Sequence, residues 1–305
     1  MVAPAVAAPL VIGLDVGGTK ILSGLVDREG KILAEHELTT PAESEACVLD
    51  ALDDAVAALL DERVAAIGYG IPANLERGSW RILRAMNLPL ADVDLARRTR
   101  ERYGLPVGIE NDGSAAALAE WRCGAGKGAS NLVMLTLGTG VGGGIVLDAK
   151  LFRGWAELGH VVVREDGGPP CTCGGSGHLE VLASGHAADR VARELYGPSA
   201  DAHALIERAR AGEEEARAAL AAIGASLGAA VGSLVNVFDP DVTVIGGGFG
   251  AAAGNLLLRP ALESARREAV PPADETLRIV PAELGADAGL VGAGLVGFEA
   301  LDGVR

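Results

Sequence analysis

Apolar residues run almost unbroken through LVIGLDV, stop at a glycine-rich step, and resume through ILSGLVD. The pattern over 10–27 predicts strand, turn, strand, and KILAEHEL adds a third strand. At Thr40 the period changes. Thr40-Pro41-Ala42-Glu43 places an N-cap threonine, a proline at the first helical position and a capping-box glutamate at the third. Val48, Leu49, Leu52, Val56, Leu59 and Leu60 then recur at helical spacing, which predicts one buried stripe. VAAIGYGIPA returns as a strand, and GIENDGSAAALAEW reads as a strand followed by a helix beginning near Ser114. Around residue 131 the opening pattern restarts: NLVMLTLGTGVGGGIVLD is again apolar strand, glycine turn, apolar strand. This recurrence implies a duplicated α/β unit, with two related halves facing one another across a cleft. Alanine-rich helices and PDVTVIGGGFG fill the rest, without a low-complexity linker.

Length and composition narrow the class. With 305 residues, 49% of them apolar, the chain can fill two ordinary domains and is not disordered. Lys plus Arg number 26 against 41 Asp plus Glu, a net charge of -15 that argues against nucleic acid or an anionic membrane as partner and favours a small polar ligand. Four cysteines, with Cys47 and Cys123 far from the others, do not form a disulfide framework and fit a reducing, cytoplasmic setting. The opening MVAPAVAAPL lacks the basic start of a signal peptide, and no uninterrupted apolar run approaches the roughly 18 to 20 residues of a membrane span.

The two glycine turns are candidate phosphate cradles, because backbone N–H groups can approach an anion where no Cβ intervenes. The first comprises Asp15, Gly17, Gly18, Thr19 and Lys20, with Asp15 able to orient a metal-bound water and Thr19 and Lys20 able to bond phosphate oxygens. The second is built on Gly138, Thr139 and Gly140. Gly138, Gly140 and Gly143 also satisfy G-x-G-x-x-G, but that fingerprint must open a helix, whereas GGIVLDAKLF continues as a strand. VIGGGFGAAAGNLLL does run strand, glycines, helix. Only one plausible strand follows it, so Gly247 and Gly248 are assigned to a base or ribose contact and not to a dinucleotide domain. The Walker pattern is absent.

Asn111 and Asp112 stand between a strand and a helix. Asp112 can be a simple cap, or an ionised carboxylate favoured by the helix N-terminus and able to take a proton from an attacking hydroxyl. Two of the four cysteines and two of the five histidines gather within residues 160–180. His160, Cys171, Cys173 and His178 offer four zinc-type donors, leaving no open coordination position, so a bound metal would be structural and would fix a loop. Glu157 and Glu180 flank these donors, placed to accept hydrogen bonds from sugar hydroxyls.

Taken in order, DVGGTK, GIP, ENDGSAAALAE, LTLGTGVGGGIV, AELGH, CTCGGSGHLEVLASG and VIGGGFG resemble the ROK sugar kinases, and within them the bacterial glucokinases, over essentially the whole chain. The resemblance implies an actin-like ATPase (ribonuclease H-like) fold of two αβ domains: 1–112, completed by a C-terminal helix over 289–303, and 113–288, carrying the zinc loop 160–178. It implies Mg-ATP as phosphoryl donor, Asp112 as the base for the sugar's primary hydroxyl, Asn87, Asn111, Asp112, Glu157, His160 and Glu180 as sugar contacts, and often a homodimer. Family zinc kinases use His160 and the cysteine positions as ligands, and this chain departs from them where His178 replaces the usual third cysteine. Two thiolates and two neutral imidazoles still complete a tetrahedron around Zn2+, now formally neutral. Many ROK members are repressors with a helix-turn-helix in front; the fourteen residues before Asp15 are too few for one, which favours a kinase. Glucose is the expected acceptor by analogy. Mannose, fructose, N-acetylglucosamine, N-acetylmannosamine, polyphosphate as donor, and a sugar sensor without turnover are the alternatives.

Overall fold

Two five-stranded sheets built to the same plan dominate the computed structural model of the chain, which describes residues 8–304. The first seven residues of the opening stretch, and with them most of the signal-peptide reading, lie outside the described residues. Two compact units result: one takes the chain through Ala119, the short run Arg153–Trp155 and everything from Asp287 on, the other Glu120–Phe152 and Ala156–Ala286.

The first unit begins with β1 (Leu10–Val16), β2 (Lys20–Val26) and β3 (Ile32–Thr39), an antiparallel meander, followed by α1 (Glu45–Ala57) and β4 (Val64–Ile71). A small antiparallel sheet of β5 (Ala73–Leu75), β6 (Ile82–Ala85) and β7 (Ala91–Val93) precedes α2 (Leu95–Tyr103), β8 (Val107–Asn111) and α3 (Asp112–Cys123). The main sheet has the order β3-β2-β1-β4-β8, with β1, β4 and β8 parallel.

The second unit repeats the plan. It contains β9 (Leu132–Leu137), β10 (Val141–Leu147), β11 (Lys150–Leu151), α4 (Leu179–Ala183), α5 (Gly185–Tyr196), α6 (Ala202–Arg210), α7 (Glu214–Phe238), β12 (Val242–Gly246), α8 (Gly248–Ala253), α9 (Asn255–Glu268), α10 (Ala273–Thr276) and β13 (Ile279–Pro281). Its sheet order is β11-β10-β9-β12-β13: an antiparallel meander whose first strand continues into two parallel neighbours. The hairpins at 10–26 and 132–147 therefore occupy equivalent places, which is the duplication that the hydrophobic pattern announces. GTGVGGG is the turn and second strand of a hairpin, so the dinucleotide reading of those glycines fails on geometry as well.

The core of the first unit packs Val48, Leu52 and Val56 of α1 against one face of the sheet, alongside Ile12, Leu14, Ile21, Ile67 and Tyr69, all fully buried. The chain then closes the other face with α11 (Ala288–Leu301), an almost wholly apolar helix. It approaches so near that a Cβ on Gly68 would strike the backbone of Ala293 and Gly297. In the second unit α7 and α9 cover the sheet, with Leu220, Leu227, Val231, Leu257 and Ala261 buried. Among the described residues α7 is the one helix long and apolar enough, at mean hydropathy 1.9, to cross a membrane. The expectation of no such run overlooked its charge-free stretch, which here packs into the core of the unit.

Two helix starts differ from expectation. Helix α1 begins at Glu45 with Ser44 as its cap, the Ser44 side chain accepting from the Cys47 N–H. Thr40 does not cap it, because its hydroxyl donates to the Gly17 carbonyl at 2.7 Å and its N–H to the Thr19 carbonyl at 3.0 Å, fastening the end of β3 to the first glycine turn. Helix α3 begins at Asp112 and not at Ser114, because the Asn111 Oδ1 accepts the N–H groups of Gly113 and Ser114 at 2.9 and 3.2 Å.

Candidate active site

In the first unit β1 and β8 run parallel on either side of β4, so both deliver their C-terminal ends to one edge of the sheet, the edge where open α/β sheets bind ligands. Asp15 comes from β1, Asn111 ends β8 and Asp112 opens α3. Asn111 has taken the cap position, which leaves the Asp112 carboxyl at the helix N-terminus without the capping role that its sequence position also allowed. Burial pushes the Asp112 carboxyl above its ordinary value; the Gly113 N–H, its own N–H and the Asn111 side chain oppose the rise. Asp15 is pushed up to about 6, by burial first and then by the charge of Asp112, with Lys20 pulling the other way. The Asp15 carboxylate lies against Gly289, in the first turn of α11, so a second helix N-terminus faces this acid pair.

The first glycine turn leads out of the same strand. The Gly17 N–H donates to the Lys20 carbonyl at 2.8 Å, Thr19 is exposed, and the Lys20 ammonium pairs in solvent with Glu37 at 3.0 Å. Asn87, at φ 60°, packs against Gly18. Asp15, Gly17, Gly18, Thr19, Lys20, Asn87, Asn111 and Asp112 thus belong to one unit, grouped around strand ends and the turn.

The second unit holds the remaining expected residues. In the turn between β9 and β10 the Gly138 N–H donates to the Gly140 carbonyl at 3.0 Å, and the Gly185 N–H, opening α5, donates to the Gly138 carbonyl at 2.8 Å. Gly247 sits at φ 82°, directly on the backbone of Leu137 where any Cβ would collide, and hands the chain to α8 through Gly248. Gly138, Thr139, Gly140, Gly247 and Gly248 are therefore brought together. Glu180, in the first turn of α4, lies over Gly140, its Oε2 accepting the Val141 N–H at 3.1 Å. Glu157 precedes a 3-10 turn (Leu158–His160) and stands 3.9 Å from the His160 Nδ1.

The metal-type donors also converge: one ligand atom from each of His160, Cys171, Cys173 and His178 lies within 4.8 Å of the others. The Cys173 Sγ and His178 Nδ1 are 3.3 Å apart, the length of one edge of a zinc tetrahedron with bonds of about 2.0 to 2.3 Å. His160 Nδ1 is buried with no hydrogen-bond partner. A buried imidazole nitrogen without a partner, two sulfurs and a second imidazole fit Zn2+. Burial raises the Cys171 thiol, so loading a cation here releases a proton.

Sequence reasoning did not single out Arg153. Its guanidinium donates to the Glu110 Oε2 at 3.1 Å and the Glu299 Oε2 at 2.6 Å, while the Glu110 Oε1 accepts the Asn111 N–H at 3.1 Å. This chain of bonds steadies the strand end that carries Asn111 and Asp112. Partners 43 and 146 positions away in the chain leave no local pattern by which it could be found.

Residues 11–297 match the ROK family. A glucokinase of Streptomyces coelicolor is 37% identical over 311 aligned positions, covering 93% of this chain and 96% of its own. The structure of a ROK family glucokinase from Streptomyces griseus in complex with glucose and AMPPNP superposes with a TM-score of 0.82 at 35% identity, covering 95% of this chain and 99% of the other. That of a ROK hexokinase from Thermus thermophilus gives a TM-score of 0.85 at 37% identity, with 96% and 99% covered.

Proposed function

The chain belongs to the ROK family and has its actin-like ATPase fold, and from that premise we propose that it is an ATP-dependent glucose kinase in which Asp112 is the general base. The observation that carries the base assignment is the Asp112 carboxyl itself, half-buried at a helix N-terminus beside the capping Asn111, where desolvation raises its proton affinity above that of an ordinary carboxylate. A more basic carboxylate is a better acceptor for an alcohol proton at neutral pH.

The sugar's 6-hydroxyl oxygen attacks the γ-phosphorus of ATP in line, the new O–P bond forms as the bond to the β-bridging oxygen breaks, and ADP leaves. Asp112 takes the hydroxyl proton. Asn111, Glu157, His160, Glu180 and Asn87 hold the sugar hydroxyls, the polar contacts that reject analogues lacking them. Glu180 is already oriented by the Val141 N–H. The turns at 17–20 and 138–140 are assigned to the phosphates, through backbone N–H groups other than those of Gly17 and Gly138, which are paired within the turns, and Gly247 and Gly248 to the base or ribose, Gly248 having open space where a Cβ would stand. Asp15 would orient a water of bound Mg2+, whose charge would offset that of the phosphates. His160, Cys171, Cys173 and His178 would hold a structural Zn2+ that fixes the loop between Glu157 and Glu180.

Glucose is supported by glucokinase relatives 33 to 37% identical and by the glucose complex of the Streptomyces griseus enzyme; an N-acetylmannosamine kinase from Shigella flexneri is 33% identical, so identity alone does not choose the sugar. ADP release measured across glucose, mannose, fructose and the two N-acetylhexosamines, each with ATP and with polyphosphate, tests the assignment. The highest kcat/KM is expected for glucose with ATP; sugar binding without turnover would replace the kinase by a sensor.

A further inference from the structure

Tryptophan occurs only three times in the 305 residues. Two of the three, Trp80 and Trp155, line a single pocket of the first unit, together with Asn74, Arg77, Arg153, Glu110 and Asn111. The third, Trp121, lies elsewhere with its indole N–H bonded to the Ala129 carbonyl at 2.8 Å. The pocket is a shallow, open recess of about 20 Å3, so a ligand would rest against its walls without being enclosed.

Its walls are held in place. The Arg153 guanidinium lies 5.3 Å from the Trp80 ring centroid and is fixed from behind by Glu110 and Glu299, both largely buried. Trp80 itself has φ 61°, a left-handed conformation that bulky residues rarely adopt and that surrounding structure must impose. The turn between β5 and β6 imposes it, through Trp80 N–H to the Glu76 carbonyl and Glu76 N–H to the Arg81 carbonyl, each at 2.9 Å. Trp155, by contrast, is 57% exposed, a large apolar ring that folding leaves in water. It follows Arg153 by two residues and precedes Glu157 by two, and the pocket shares Asn111 with the acceptor site.

We infer that this pocket is an acceptor-side subsite and that Trp155 is a specificity-determining residue whose ring stacks on the pyranose of the sugar. A pyranose presents an apolar C–H face and a rim of hydroxyls. The indole covers the face, while the arginine and asparagine side chains of the pocket meet the rim. The inference rests on the sugar-kinase reading and extends it to how the ring is read.

Trp155→Phe, Trp155→Ala and the control Trp121→Phe separate the possibilities. In the unsubstituted protein, glucose is expected to produce a saturable change in tryptophan emission; Trp155→Phe loses most of it and Trp121→Phe keeps it. Trp155→Ala is expected to raise the glucose KM about ten-fold, the loss of one aromatic contact, while the ATP KM stays within about two-fold. An unchanged glucose KM in Trp155→Ala overturns the inference. Emission reads binding without turnover, so glucose bound through Trp155 with no ADP released would overturn the kinase and leave the subsite standing. Turnover of glucose with a KM indifferent to Trp155 would do the reverse.

Discussion

At the scale of single residues, the decisive feature is a pair of acids at one sheet edge whose proton affinities are both raised, Asp112 and Asp15. Asp112→Asn keeps the shape and removes the basic oxygen, so calorimetry should show sugar binding retained while turnover falls by at least about 10²-fold; near-normal turnover would remove Asp112 from its role. Since only the ionised form accepts the proton, kcat/KM should fall as pH is lowered, with an acid limb above the ordinary aspartate value of about 4. Asp15 has a stability consequence too. Its folded value of about 6 exceeds the unfolded 3.8, so the folded state gains from its proton below pH 3.8 and loses that gain as pH rises through 6. Asp15→Asn, neutral throughout, should therefore raise the Tm of the ligand-free protein at pH 7.5, with the difference vanishing near pH 4. A Tm difference independent of pH would mean that Asp15 ionises freely. Asp112 as candidate base was legible because an acid between strand and helix is a local pattern. That Asn111 takes the cap was not, because both residues are good caps and only the backbone path decides between them.

At the scale of elements, both glycine hairpins were readable from contiguous apolar runs, which need no partner from far along the chain to be recognised. Helix α1 was misread at its start for the opposite reason: Thr40 carries a capping signature, but its hydroxyl is drawn to Gly17, 23 positions earlier. The loop 160–178 carries the prediction proper to this scale. Metal analysis of purified protein should give about one zinc per chain, and chelation should lower the Tm, because the ion cross-links residues that otherwise have only short turns to order them. His178→Ala should lower the zinc content and the Tm together, and His178→Cys should restore both; a metal-free protein of full stability and activity would refute the site. Close packing of α11 on the first sheet gives a second check. Gly68→Val must drive a side chain into the Ala293 backbone, and a loss of at least about 1 to 3 kcal/mol is expected from denaturant unfolding.

For the whole molecule, the repeat visible at 11–27 and 131–148 is carried into two sheets of identical plan. The order of strands within each sheet could not be read from the chain, because parallel pairing of β1 with β4 and of β9 with β12 joins segments separated by whole helices. The same holds for Arg153, which reaches Glu110 and Glu299 from a three-residue visit to the first unit, whereas a C-terminal helix completing that unit was expected from the family resemblance and not from the local pattern. Local grammar thus reveals hairpins, donors and acids, while tertiary pairing decides which of them share a unit. The most direct test of the account is 31P NMR of purified protein incubated with Mg-ATP and glucose, alongside Asp112→Asn. Equimolar ADP and a phosphate ester on the glucose 6-hydroxyl are predicted for the unsubstituted protein, with ester formation suppressed in the variant. A sugar left unmodified while bound, or an ester formed equally well by the variant, would contradict it.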